Sequence, residues 1–251
     1  SKYSLDLRND GLHMKLVCKC CTLEHDMPVS ELPDDGEDMD VIEWYCAQCE
    51  ADIFAPTQGI AGELIDSSAT LIVCPSAICQ QWVNEISKHV ASDEFRVHVY
   101  NGLRSGERTT AKQLATQHIV ITTYDVLRQD VYHSAAYQAD GQHRVQRYRK
   151  KHRVVPTPLT ALRWWRVCLD EAQMVETTTA KAAEMAAQLP TVHRWCVTGT
   201  PIAHDLDDLY GLLVFLQAEP LDNRKLWLNS IKKPCELLVP AAVEQYHEFF
   251  C

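Results

Sequence analysis

The stretch Trp165-Arg166-Val167-Cys168-Leu169-Asp170-Glu171-Ala172-Gln173 decides the fold. A short apolar run ends abruptly in two adjacent carboxylates. In an open parallel sheet, ligands collect at the carboxyl ends of the strands. A strand that delivers Asp-Glu at that edge reads as a magnesium and water site for phosphate chemistry. Asp170 would hold the Mg²⁺ of a nucleotide, directly or through water. Glu171 would orient and polarise the attacking water. An isolated Asp-Glu pair is commonly a solvated strand end, so the reading depends on the segments around it.

Downstream, an Ala-rich helix is expected over about 178–189. His193-Arg194-Trp195-Cys196-Val197-Thr198 then reads as a strand that runs into Gly199-Thr200-Pro201. Its end should lie beside that of Val167-Cys168-Leu169. Leu206, Leu209, Leu212, Leu213 and Phe215 recur at helical spacing, and the tail 218–251 also reads as helical.

Upstream, Thr70-Leu71-Ile72-Val73-Cys74 is a buried-strand pattern stopped by Pro75-Ser76. Ile78, Trp82, Val83, Ile86 and Val90 give a helix with one apolar face. Residues 95–100 alternate as a strand up to the turn signal Asn101-Gly102, and 117–125 form another strand ending in hydroxyls and an acid. Strands alternating with helices imply βαβ units, hence an α/β fold with a parallel sheet. Two strand ends carry groups suited to a phosphate backbone. One holds Ser76 with Gln81 and Trp82, the other Thr122, Thr123 and Tyr124. Ser76 is equally a helix cap, and threonine is common in strands.

Between these halves lies a basic insertion, about 134–160. His143-Arg144-Val145-Gln146-Arg147-Tyr148-Arg149-Lys150-Lys151-His152-Arg153 reverses the sign of an otherwise acidic chain. Arg147, Arg149, Lys150 and Lys151 beside Tyr148 suit a nucleic-acid backbone. A solvated loop is the other reading.

The amino-terminal segment, 1–56, has a different chemistry. Cys18-x-x-Cys21 and Cys46-x-x-Cys49 each present two thiolates, and together they predict a four-cysteine zinc site. Cys20 is an alternative to Cys21. The acidic run Glu31 to Asp40, broken by Pro33 and Gly36, is a solvated loop or a surface that repels DNA or receives a basic histone tail.

Composition sets the outer bounds. The 251 residues allow one large or two small domains. A net charge of −10 excludes a uniformly basic nucleic-acid binder and leaves room for a local basic patch. No run of about 18 apolar residues exists, so no membrane partner is expected. The polar start, Ser1 to Asp6, has no signal-peptide core. The 11 cysteines are therefore expected as reduced thiols or metal ligands. The first methionine is Met14, and a piece of a longer chain is expected.

These motifs carry a family resemblance. Asp170-Glu171-Ala172-Gln173 resembles the Walker B motif of superfamily-two helicases in its DEAH/DEAQ form. Thr198-Gly199-Thr200-Pro201 resembles motif III of the Swi/Snf ATPases, which couples the nucleotide site to the DNA path. Pro75-Ser76 with Gln81-Trp82 resembles motif Ia, and Thr122-Thr123-Tyr124-Asp125 resembles motif Ib. All four stand in family order over 70–217. Within the family, the chain is most similar to members that combine linker-histone, PHD and RING modules. Residues 1–56 resemble the second half of a PHD finger, with Trp44 at the aromatic position before the last cysteine pair. Pro28 stands where that finger would need a cysteine, although His25 is near its histidine position.

The resemblance implies a RecA-like helicase lobe over 57–217, preceded by a small zinc-binding PHD-like segment. It implies ATP, magnesium and zinc as cofactors and DNA as partner, with nucleosomes or histone tails as further partners. Asp170, Glu171 and Gln173 would serve catalysis, and Thr198, Gly199 and Thr200 coupling. The parent protein would be a nuclear, DNA-stimulated ATPase and, through a RING, an E3 ubiquitin ligase in DNA repair. The chain holds no G-x-x-x-x-G-K-[ST] and no RING-like series after Gln217. Taken alone it is expected to bind ATP weakly, to leave it unhydrolysed, and to lack the contact with a ubiquitin-conjugating enzyme. A second reading makes it a non-catalytic scaffold of zinc finger and lobe for histone or ubiquitin-pathway partners. A P-loop in the upstream coding sequence separates the two.

Overall fold

The computed structural model describes residues 5–8, 11–17, 24–28, 47–48, 64–90, 95–134 apart from 106 and 108, 155–203 and 205–237. Near the amino terminus, β1 (Leu5–Arg8), β2 (Gly11–Val17) and β3 (Glu24–Pro28) form a three-stranded sheet. It is antiparallel throughout, with Leu5 opposite Met14 and Leu16 opposite His25. Cys18, Cys20, Cys21, Cys46 and Cys49, proposed as zinc ligands from their spacing, lie outside the described residues. So do Arg147, Arg149, Lys150 and Lys151 of the basic run.

The α/β body begins at β4 (Ile65–Asp66) and β5 (Thr70–Cys74). Both strands run along the same side of β8 (Leu162–Asp170), in parallel. Asp66 to Thr70 advances four residues while Arg163 to Arg166 on the partner advances three, which marks a one-residue bulge. Ser67 fills it, donating its hydroxyl to the Ala115 carbonyl (3.3 Å) and accepting from the Ala69 amide (3.1 Å). The expected apolar strand is found at 70–74, with Leu71, Val73 and Cys74 wholly buried and Ile72 nearly so. A strand apolar on both faces belongs in the interior of a parallel sheet.

Helix α1 (Cys79–His89) follows, then β6 (Val97–Val99), α2 (Ala111–Ala115), β7 (Ile119–Thr123) and α3 (Tyr124–Asp130). The strands are shorter than the sequence pattern suggested. At 124 the chain turns into a helix because Thr123 acts as N-cap, its hydroxyl accepting the Val126 amide (3.4 Å). After β8 come α4 (Lys181–Gln188), β9 (Thr191–Val197) and α5 (Leu206–Leu216). The chain then runs through α6 (Arg224–Trp227), a π-helical turn over Leu228–Lys232, and α7 (Lys233–Leu237). None of the described helices is long and apolar enough to cross a membrane.

The strand order is β6-β7-β5-β8-β9, with β4 beside the start of β8. Every pair in this six-stranded sheet is parallel. One face carries the main core: Leu71, Val73, Val120, Val167 and Leu169 meet Leu114, Leu127, Met185 and Phe215 from the helices. Each such large apolar side chain contributes about 1.5–3 kcal/mol on burial. The opposite face is covered more lightly. Helix α1 packs against β7 and buries no residue fully.

Candidate nucleotide and metal site

Parallel pairing brings four strand ends to one edge. Cys74 lies opposite Thr123, Val73 opposite Leu169, and Asp170 opposite Val197. The end of β9 therefore sits beside that of β8, where the acidic pair leaves the sheet.

Three donors hold Asp170. Its Oδ2 accepts the indole N–H of Trp82 at 2.7 Å, and its Oδ1 accepts the Glu171 amide at 3.0 Å. Its carbonyl accepts the Tyr124 hydroxyl at 2.8 Å. The next residue, Glu171, has φ 51° and ψ 54°, the left-handed region. For a residue with a side chain this costs about 1 kcal/mol or more and persists only where the surroundings enforce it. It ends the strand sharply and leaves the Glu171 carboxylate exposed at the edge.

Gln173 links the acidic pair to the next strand. Its Nε2 donates to Glu171 Oε2 (2.9 Å), and its Oε1 accepts the Thr198 hydroxyl (2.7 Å). The Thr200 amide in turn donates to Thr198 Oγ1 (3.0 Å). Glu171, Gln173, Thr198 and Thr200 thus form one hydrogen-bonded line across the ends of β8 and β9. Gly199 sits in open space: a Cβ built there meets nothing within 4 Å. Packing among the described residues does not require glycine at that position.

The donor set suits a hard divalent cation. Each Asp170 oxygen accepts one hydrogen bond and keeps lone-pair capacity for a cation or its waters. No cluster of three or more His, Cys, Asp and Glu exists among the described residues. Asp170 could hold magnesium only together with water and phosphate oxygens, as that ion commonly binds. Three thiols near this edge are held toward their neutral form. Burial pushes Cys74 and Cys196 up to about 12 and raises Cys168 as well.

The residues read as nucleic-acid contacts divide into two groups. Ser76 and Gln81 are exposed beyond the end of β5. The Ser76 hydroxyl donates to Asp125, whose carboxyl is held below the ordinary range by that bond and then by Arg128. Thr122 and Tyr124 are interior, 0% and 1% exposed. Thr122 donates to the Tyr100 carbonyl (2.9 Å) and Tyr124 to Asp170, so neither hydroxyl faces a phosphate backbone in this arrangement. Thr123 is half-buried and serves as the cap of α3. Trp82 directs its N–H to Asp170. Sequence reasoning missed that Trp82 and Tyr124 grip Asp170. The partners are 88 and 46 residues apart, and spacing carries no signal for such pairs.

A profile described as the SNF2-related domain matches residues 14–249. The chain is 42% identical over 201 residues to the human E3 ubiquitin-protein ligase SHPRH, covering 80% of this chain and 11% of that protein. It is 38% identical over 168 residues to the DNA repair protein RAD5B of Arabidopsis thaliana, covering 66% of this chain and 11% of the relative. It is 32% identical over 166 residues to the human Helicase-like transcription factor, covering 66% of this chain and 14% of the relative. The solved Sulfolobus solfataricus SWI2/SNF2 ATPase core in complex with dsDNA superposes with a TM-score of 0.51 at 24% identity. That match covers 71% of this chain and 31% of the other, and it bears on the fold. With the parallel sheet, the motif order and the profile agreeing, the chain belongs to the SNF2-related domain family.

Proposed function

We propose that the chain supplies the acidic edge of a DNA-dependent ATPase lobe in a longer protein that also acts as an E3 ubiquitin ligase in DNA repair. The observation that carries this reading is the hydrogen-bonded line from Glu171 through Gln173 to Thr198, next to an anchored Asp170. Asp170 would hold Mg²⁺, which neutralises phosphate charge when ATP is bound. Glu171, exposed and steadied by Gln173, accepts a hydrogen bond from the attacking water and directs it. Thr198 and Thr200 report the state of that edge to the DNA path, beside which Ser76 and Gln81 would contact backbone phosphates. ATP turnover would drive translocation along DNA. Ubiquitin transfer would need a RING, which these 251 residues do not hold. Zinc at Cys18, Cys21, Cys46 and Cys49, chromatin as partner and a nuclear location belong to the same reading.

In the full-length protein, Glu171→Gln should lower DNA-stimulated turnover by about a hundredfold or more. Nucleotide binding should stay within a few-fold, measured by a fluorescent ATP analogue. Turnover that survives the substitution would remove Glu171 from its role.

A further inference from the structure

We propose that Trp82 is a positioning residue for Asp170, so that the grip of this carboxylate on a divalent cation depends on where helix α1 sits. The inference rests on the proposed ATPase reading and goes beyond it, since Trp82 was expected only on the nucleic-acid side.

Trp82 lies inside α1, and its indole has a single donor. That donor meets Asp170 Oδ2 at 2.7 Å, within the range of a well-formed N–H···O hydrogen bond. The indole is half-buried, and its partner stands at the end of β8, far off in the chain. Among the described residues, the remaining contacts of Asp170 come from its own strand end and from Tyr124, so Trp82 is the side chain there that holds the carboxylate group itself. Partners behind a metal ligand set its orientation, and removing one typically costs ten- to a hundredfold in metal affinity or activity.

The location of the donor adds a second consequence. Gln81 precedes Trp82 on α1, and Ser76 lies in the turn leading to it; both are exposed. Helix α1 buries no residue fully, so it is held less firmly than the helices on the opposite face. A contact that displaces α1 would therefore move the donor relative to Asp170. The coupling runs through one hydrogen bond rather than through the backbone of β8.

The test uses the full-length protein with Mg²⁺ as the probe. Trp82→Phe keeps an aromatic ring and removes the N–H. The Mg²⁺ concentration for half-maximal DNA-stimulated ATPase should rise about tenfold, with a smaller effect on turnover at saturating metal. Trp82→His, which retains a ring N–H, should recover part of the shift. Unchanged Mg²⁺ dependence in Trp82→Phe would overturn the proposal, because a purely structural role would lower activity without moving that midpoint. If neither variant folds, iron-directed backbone cleavage of the wild-type protein decides. Cuts near both residue 82 and residue 170 support the proposal, and a cut near 170 alone overturns it. Asp170→Asn separates the two layers: intact turnover in that variant defeats the ATPase reading itself, and this inference with it.

Discussion

Asp130 shows how a single residue is fixed by its surroundings. It is 1% exposed at the end of α3, yet it is a carboxylate. Burial is tolerated because three donors surround it: the Tyr100 hydroxyl at 2.7 Å, the Leu103 amide at 3.3 Å and the Thr157 hydroxyl at 3.0 Å. These partners come from the loop after β6 and from the chain that returns after residue 154, so one side chain pins both to α3. Asp130→Ala strands the donors without water. It should destabilise the fold by about 3 kcal/mol, read as a lower midpoint in urea unfolding. An unchanged midpoint would show that water replaces the carboxylate. Nothing in the sequence around Asp130 marks it, because its importance comes from partners far off in the chain.

At the scale of elements, α5 is set by close approach on one side and by charge on the other. Gly211 faces the backbone of Glu176 so tightly that a Cβ would lie 2.0 Å from the Glu176 carbonyl oxygen. The helix rests directly on the segment after the acidic pair, and no other residue type fits there. At its start, Asp205 and Asp208 form a capping box. Asp207 gathers Arg224 (2.8 Å), Lys232 and the Trp227 indole (3.2 Å), tying α5 to α6 and the π-helical turn. Arg224 first, then Lys232 and Trp227, hold the Asp207 carboxyl down to about 2 from 3.8. A depressed carboxyl stabilises the fold above its unfolded value and loses that contribution as pH falls through its folded value. The clamp should therefore act fully above about pH 4 and fade toward pH 2. With Asp207 partly solvated, it is worth about 1 kcal/mol after screening. Asp207→Asn should lower stability by that amount at neutral pH, and the two proteins should converge near pH 2 in thermal unfolding. A constant difference across the range would count against the clamp. The amphipathic spacing of α5 was legible in the sequence; its partners were not.

For the whole molecule, the sheet divides its two faces unequally. One face is sealed by α2 to α5, whereas the half formed by β8 and β9 on the other leaves Trp165 45%, Trp195 52% and Val197 45% exposed. Arg166 covers Trp195 at 4.4 Å, and His193 meets Trp165 edge-on at 4.6 Å, so the patch is only partly shielded. If the zinc site proposed at Cys18, Cys21, Cys46 and Cys49 exists, metal analysis of the purified chain should return one zinc ion. Two would favour a complete finger, and none would remove the assignment. The sequence by itself determined the α/β class, the strand that ends in Asp170-Glu171, and the order of the motifs that mark the family. Each of these is written in local apolar patterning and in residues adjacent along the chain. Only the tertiary structure decided that Trp82 and Tyr124 serve Asp170 and that Thr122 turns inward. It alone set Gln173 between Glu171 and Thr198. Those outcomes depend on parallel register and on helix placement, which bring together atoms that no spacing along the chain relates.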